Sequence, residues 1–243
     1  MENYINQIIH GDCLEVMEDM PAGCIDMILC DLPYGVTRNK WDQRLPLDKL
    51  WQQYERLIKP NGAVVLMAQQ PFTSELVVSN RKSFKYSLVW SKRQVVGFLN
   101  ANIQPLREHE DILVFHSKQC VYNPHMTKGR MRNKGAGGGS SNYNHFEPRP
   151  RYSDEYYPKS ILTFPAQRTK GGHPTQKPVD LFSYLVKTYT NEGATVLDNC
   201  IGSGTTAIAA LETGRLFIGI EKDECYYEMA KQRIREYKGG DPH

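Results

Sequence analysis

Two short stretches place chemistry-bearing residues directly after apolar runs. The first is Asp31-Leu32-Pro33-Tyr34-Gly35, which follows IDMILC; the second is VLDNCIGSGTT, residues 196–206. A strand that ends in a carboxylate, a proline and an aromatic ring presents an acceptor on a stiffened turn beside a flat ring. In the second stretch Gly202 and Gly204 bracket Ser203 at a strand-to-helix switch. Glycine there lets the backbone approach a ligand and adopt positive φ at no steric cost. A phosphate-cradling loop would continue Gly-Lys-Ser/Thr, and no lysine follows Gly204. A dinucleotide fingerprint wants glycine or alanine three residues on; Ala207 satisfies that, but Asp198 at the mouth of the loop repels a pyrophosphate. The same carboxylate welcomes an ammonium or sulfonium. Glu221, seventeen positions past Gly204 at the end of the next apolar run, is placed to accept both hydroxyls of a ribose. A nucleoside with a cationic tail is S-adenosylmethionine.

The elements that must position these residues alternate from the start. YINQIIHGD reads as a strand, followed by a helix over about 12–20 and the strand IDMILC. The spacing of Leu47, Leu50, Trp51, Tyr54, Leu57 and Ile58 predicts a helix over 45–59, ended by the breaker cluster KPNG. AVVLMAQ, FKYSLVW and DILVFHS follow as strands, with a helix over 71–80 between the first two. After an irregular stretch come a helix over 179–190, the strand ATVLD, a helix over 204–213, the strand LFIGIE and a helix over 223–237. Apolar strands separated by amphipathic helices imply an α/β fold with a mostly parallel sheet covered on both faces. Ligands of such sheets bind beyond the carboxyl ends of the strands. Asp12, Asp31, Asp198 and Glu221 all stand at those ends. One such acid would suit a helix cap as well as a ligand; four at corresponding positions point to a shared pocket.

The chain of 243 residues is 40% hydrophobic and carries a net charge of +3. Its distribution is uneven. Residues 117–170 hold ten Lys/Arg against three acids, so the rest of the chain is left at −4. The same stretch contains KGRMRNKGAGGGSSNYN, whose Gly and Ser argue against a packed element, and it is too long for an ordinary loop. It is read as a basic insertion at 117–170 that contacts a polyanion, within a body formed by 1–116 and 171–243. The six cysteines include no C-x-x-C pair, so neither a zinc site nor a disulfide framework is expected, and no metal. No cationic start leads into an apolar run and no segment reaches the length of a membrane span. An intracellular location without membrane contact is expected.

These segments resemble the DNA amino-methyltransferases that modify adenine N6 or cytosine N4, in the permuted order with the catalytic tetrapeptide ahead of the cofactor loop. DLPYG matches their Asp-Pro-Pro-Tyr, and LDNCIGSGTT their Asp-Pro-Phe-x-Gly-Ser-Gly-Thr-Thr. HPTQKP at 173–178 and GIEKDECYYEMAKQRI at 219–234 complete the match. The resemblance implies a Rossmann-like S-adenosylmethionine-dependent fold with a seven-stranded sheet, one strand antiparallel. It assigns Asp198, Gly202, Ser203 and Gly204 to the methionine part of the cofactor, Glu221 to the ribose and Asp12 to the adenine amino group. Lys177 approaches the methionine end, and Cys13, Asp31, Asn199, Thr205 and Lys222 complete the cofactor surroundings. Leu32 replaces a proline that acts through its carbonyl, so little changes there; Asn199-Cys200-Ile201 replaces Pro-Phe-x and adds polar groups where a ring is usual.

The tetrapeptide then has a physical role. An exocyclic amino group is a poor nucleophile because its lone pair is delocalised into the ring. Acceptors for its two hydrogens favour the tetrahedral nitrogen that attacks, and Asp31 and the Leu32 carbonyl are those acceptors. Pro33 holds Leu32 extended and so aims the carbonyl. The base must leave the duplex, and Tyr34 offers a stacking face. By the family resemblance alone, Asp rather than Ser at position 31 leans towards adenine. Asn39, Lys40 and Trp41 follow the site, and Arg130, Arg132 and Lys134 lie in the basic insert; these six are the expected contacts to double-stranded DNA. The expected function is site-specific adenine-N6 methylation of DNA, of the restriction-modification kind, by a homodimer of bacterial or phage type. Cytosine-N4 methylation, transfer to RNA or protein amides, a non-catalytic nucleic-acid binder on the same scaffold, and nicotinamide chemistry are the alternatives.

Overall fold

The computed structural model describes residues 1–35, 43–133, 151–166 and 176–239. Its elements run β1 (Gln7–His10), α1 (Cys13–Glu18), β2 (Ile25–Cys30), α2 (Leu47–Leu57), β3 (Ile58–Ala68), α3 (Phe72–Ser79), β4 (Phe84–Val96) and β5 (Arg107–Phe115), then β6 (Thr127–Asn133), β7 (Tyr152–Tyr156) and β8 (Ile161–Thr163), and finally α4 (Val179–Tyr189), β9 (Thr195–Asp198), α5 (Thr205–Glu212), β10 (Leu216–Glu221) and α6 (Glu224–Gly239). Chain contacts separate two compact units, Pro124–Lys159 and the remainder.

The larger unit holds a sheet in the order β1-β10-β9-β2-β3-β5-β4-β8. The pairs from β1 through β3 are parallel, β5 runs against both β3 and β4, and β8 is parallel to β4. Only β5 is reversed. The sheet has eight strands where seven were expected; the addition is the three-residue β8, hydrogen-bonded to β4 from within the stretch read as irregular.

Period-2 alternation in the strands feeds two separate cores. Ile28 and Cys30 of β2, with Val64 and Leu66 of β3, face α2, whose Leu50, Trp51, Tyr54 and Leu57 share one helical stripe. Met27, Leu29, Val65 and Met67 point the other way, against Leu181, Phe182, Leu185 and Val186 of α4. A third cluster joins Ile8 and Phe217 to α5 and α6. With both faces covered, the strands read as continuous apolar runs.

α2 ends at Leu57, just ahead of the breaker cluster KPNG as expected, but KPNG itself lies within a strand. β3 starts at Ile58, pairs with Ile25, and resumes pairing only at Ala63 opposite Met27, so these residues form a bulge. Gly62 permits it, because a Cβ there would lie 2.7 Å from the Asp26 carbonyl oxygen. In the smaller unit, residues expected to carry no packed element form the antiparallel pair β6–β7. Gly129 is what the pairing needs: the Tyr156 ring lies over it, 2.8 Å from where a Cβ would stand. The glycine run that motivated the irregular reading, residues 135–139, lies outside the described residues.

Candidate active site

The sheet order decides the site. β1, β10, β9 and β2 are consecutive neighbours, and each delivers one acid at its carboxyl end: Asp12, Glu221, Asp198 and Asp31. Adjacent strands lie about 4.8 Å apart, so the four acids span roughly 14 Å along one edge. All four line one cavity of about 1130 Å³. So does every catalytic and cofactor residue expected from the sequence except Gly204. Gly204 instead caps α5 at φ +82°, with its Cα hydrogen side against Ala230 of α6, where a Cβ would meet the alanine at 3.3 Å.

Asp31 follows β2 directly. Leu32 is buried in the core cluster that α2 and α3 help to form, and it also lines the cavity wall. The Tyr34 hydroxyl donates to Asp31 Oδ1 at 2.8 Å, and the ring, half-buried, lies 5.6 Å from that of Phe72. Burial first, then the Asp31 charge, push the Tyr34 pKa well up, so the hydroxyl remains a donor. Gly35 takes the left-handed φ +67°, and Arg44 packs where its Cβ would be while donating to the Tyr34 carbonyl at 2.8 Å.

Lys177, expected at the methionine end of a cofactor, meets Asp31 Oδ2 at 2.7 Å and Glu110 Oε2 at 3.2 Å. Lys92 closes on the other Glu110 oxygen. Burial works to lower the Lys177 pKa, but Asp31 and Glu110 outweigh it and raise it. Burial likewise works to raise Glu110, and the two ammonium groups outweigh it, leaving it lowered.

At the glycine turn Asp198 is buried, accepting the Thr206 hydroxyl on Oδ2 and the Cys200 amide on Oδ1 at 3.1 Å. Burial pushes its pKa up to about 7 against these two hydrogen bonds. Glu221 accepts the Gly202 amide at 2.8 Å and the Asp223 amide at 2.9 Å, and burial raises its pKa too. Asp12 caps α1 through the Leu14 amide and pairs with Lys222 at 3.0 Å. Burial alone would raise Asp12, but Lys222 and the helix amides leave it lowered.

Asn199, the departure from the usual ring, has its own pocket. Its Oδ1 accepts the Tyr54 hydroxyl at 2.5 Å and its amide faces the Cys13 and Cys200 sulfurs, each at 3.6 Å. Burial pushes the neighbouring Cys30 thiol up to about 12, so it stays protonated. The Thr205 hydroxyl donates to the Lys177 carbonyl at 3.3 Å, tying the glycine turn to the lysine.

Three functional neighbours had escaped the sequence reading. Glu110 and Lys92 line the cavity from β5 and β4, and Arg233 of α6 donates to the Ser203 carbonyl at 3.0 Å, bracing the turn. The acid pair Glu110-Asp111 ahead of the apolar run ILVF was the available signal for Glu110; Arg233 sits on an ordinary amphipathic helix and gave none. Arg130 and Arg132 lie on exposed β6 in the smaller unit, Arg132 over the Tyr156 ring at 5.9 Å. Asn39, Lys40, Trp41 and Lys134, and residues 173–175 of HPTQKP, lie outside the described residues. Among the described residues no group of three or more His, Cys, Asp or Glu could hold a metal ion, and no helix is long and apolar enough to cross a membrane.

The family whose members are described as DNA methylase matches residues 25–232. The chain is 28% identical over 247 aligned positions to the DNA adenine methyltransferase YhdJ of Escherichia coli (strain K12), covering 96% of this chain and 83% of that protein. The crystal structure of an M1.HpyAVI–SAM complex superposes with a TM-score of 0.63 at 26% identity, covering 93% of this chain and 98% of that one. The PvuII DNA methyltransferase (cytosine-N4-specific) shares the fold, with a TM-score of 0.68 at 14% identity and coverage of 94% and 86%.

Proposed function

Because this chain belongs to the DNA methylase family, whose members methylate amino groups of DNA bases, we propose that it methylates the N6 amino group of an adenine extruded from the duplex. The single observation that carries this reading is the meeting of Asp31 and the Ser203 turn in one cavity. Its volume, about 1130 Å³, exceeds the usual range for one small ligand and suits a nucleoside cofactor beside a base. S-adenosylmethionine is the cofactor; it supplies a methyl carbon made electrophilic by the adjoining sulfonium. A buried acid at Asp198 fits a cationic ligand, so Asp198, Gly202 and Ser203 hold the methionine end. Glu221 takes the ribose and Asp12 the adenine amino group, with Cys13, Asn199, Thr205 and Lys222 around them.

The chemistry of the chain's own residues follows from acceptor geometry. Asp31 has one oxygen on Lys177 and one on Tyr34. Each carboxylate oxygen has a second lone pair, and one of these takes a hydrogen of the target amine. The Leu32 carbonyl takes the other. The proton the amine sheds on methylation would pass along its hydrogen bond to Asp31, while the electron pair of the broken carbon–sulfur bond would stay on the cofactor's sulfur. Extrusion costs a few kcal/mol, and stacking on Tyr34 offsets about 1–3 kcal/mol of it. Adenine is favoured over cytosine by Asp at position 31 and by likeness to a relative named for adenine.

Within residues 117–170, the smaller unit Pro124–Lys159 is the target-recognition segment in this reading, since β8 joins the main sheet. β6 carries Lys128, Arg130 and Arg132 on an exposed two-stranded ribbon whose register shifts between Lys128 and Arg132, and a two-stranded ribbon is an element that fits the major groove. The acting form is a homodimer: Phe98, Leu99 and Ile103 stand exposed on a stretch with no charge from Gln94 to Leu106, which suits a second copy better than phosphates. The protein works inside the cell, on DNA. The test uses methyl-labelled S-adenosylmethionine and unmodified DNA, followed by nucleoside digestion. Label in N6-methyladenine, lost in Asp31→Ala, is expected. Label in N4-methylcytosine, in RNA or in protein would move the reading to that substrate, and no transfer to any would overturn it.

A further inference from the structure

Behind Asp31 the charges alternate through four side chains: Asp31, Lys177, Glu110, Lys92. The Lys177 and Glu110 side chains are each 8% exposed and that of Lys92 14%. Removing such ions from water costs several kcal/mol per ion, and well-packed apolar residues often do as well or better for stability. A line of charge ending on the proposed acceptor therefore needs a reason other than stability. Lysine is a point charge on a flexible stem. Held by Asp31 alone, the Lys177 ammonium would swing with the carboxylate it is meant to fix. Glu110 Oε2 faces the ammonium at 3.2 Å as an ion pair, from the reversed strand β5, where Trp90 is the register partner of Glu110. Lys92 in turn balances Glu110 and rests over the Trp90 ring at 5.0 Å.

We propose that Glu110 is a positioning residue for methyl transfer: it anchors Lys177 from behind, so that Lys177 holds the Asp31 carboxylate aimed at the target amine. The inference rests on the base-amine reading above. Glu110 also shares the lysine's positive charge. With Glu110 neutral, the whole of it falls on Asp31, which becomes a weaker acceptor for the amine hydrogen.

The test measures kcat, KM for both substrates, the pH profile and the melting temperature of Glu110→Gln, Glu110→Asp and the double variant Glu110→Gln/Lys92→Met. Misplacing a reacting group by an ångström costs about 100-fold, so kcat in Glu110→Gln is expected to fall roughly 10- to 100-fold with KM values within about threefold. Its pH profile gains a basic limb, because Lys177 has lost one of the two charges that raise its pKa. Glu110→Asp keeps the charge and lacks that limb, even if slower. The double variant removes a charge pair rather than one partner, which guards against misfolding; it shows the same kcat loss and basic limb. A folded Glu110→Gln or double variant with wild-type kcat and pH profile overturns the proposal. So does a loss confined to KM or matched by a collapse in melting temperature for both. If wild-type protein moves no methyl to a base amine, the functional reading falls and takes this inference with it; an active wild type with unchanged variants overturns the inference alone.

Discussion

Titrating Asp198 is expected to titrate cofactor affinity. The carboxyl is buried, and burial pushes its pKa from 3.8 up to about 7. At about 1.4 kcal/mol per pKa unit, keeping it ionised above pH 7 costs the free protein on the order of 4 kcal/mol. The sign follows from the raised value: the folded state holds this proton more tightly than the unfolded chain. Its contribution to stability is present below pH 3.8 and is lost as the pH rises through about 7. A cationic ligand reverses the preference by pairing with the ionised form. Binding S-adenosylmethionine should therefore expel a proton near pH 6 and almost none at pH 8. Its Kd should rise about tenfold from pH 8 to pH 6, since one unit below the pKa only about a tenth of the sites are ionised. Calorimetry at pH 6, 7 and 8, each in two buffers of different ionisation enthalpy, reads both quantities. Asp198→Asn should bind weakly and show neither trend. A wild-type Kd that is flat across this range, with no proton released at pH 6, would refute a cation at Asp198.

Three further outcomes are expected. Tyr34→Phe keeps the ring and loses the hydroxyl on Asp31, a hydrogen bond to a charged group worth about 1.5–3 kcal/mol. It should cost roughly tenfold or more in kcat/KM, and Tyr34→Ala should cost a further 1–3 kcal/mol or so from lost stacking; equal activity in all three would remove Tyr34 from the mechanism. Gly62→Ala drives a Cβ to within 2.7 Å of the Asp26 carbonyl, an overpacking worth about 1–3 kcal/mol. Its melting temperature should drop by roughly 2–4 °C per kcal/mol while kcat at 20 °C stays unchanged, and an unaltered melting curve would contradict the bulge geometry. Arg130→Ala and Arg132→Ala should each reduce the slope of log affinity for DNA against log salt by about 1; unaltered slopes would place β6 off the phosphates.

The local patterns were legible in the chain because each is written in neighbouring residues. Alternating β2 side chains, the α2 stripe, the Gly-x-Gly turn and the acids after strands depend on periods of two or 3.6 and on turn chemistry. Misreadings came where a distant partner overrules local preference. KPNG, which does end α2, also became a bulge inside β3 because β2 pairs on either side of it, and KGRMRN became a strand because β7 supplies the other half of the ribbon. A three-residue β8 carries too short a pattern to announce itself.

What the sequence alone determined is the chemistry each stretch offers: a carboxylate and a carbonyl on a proline-stiffened turn, and a glycine turn beside an acid. What only the tertiary structure decided is who faces whom. Inserting β10 and β9 between β1 and β2 brings four acids from both ends of the chain onto one edge. Reversing β5 sets Glu110 behind Lys177, and Lys177 against Asp31. Strand order and register join residues far apart in the chain through hydrogen bonds common to every residue type. No local pattern of side chains encodes those pairings, so they exist only once the sheet has formed.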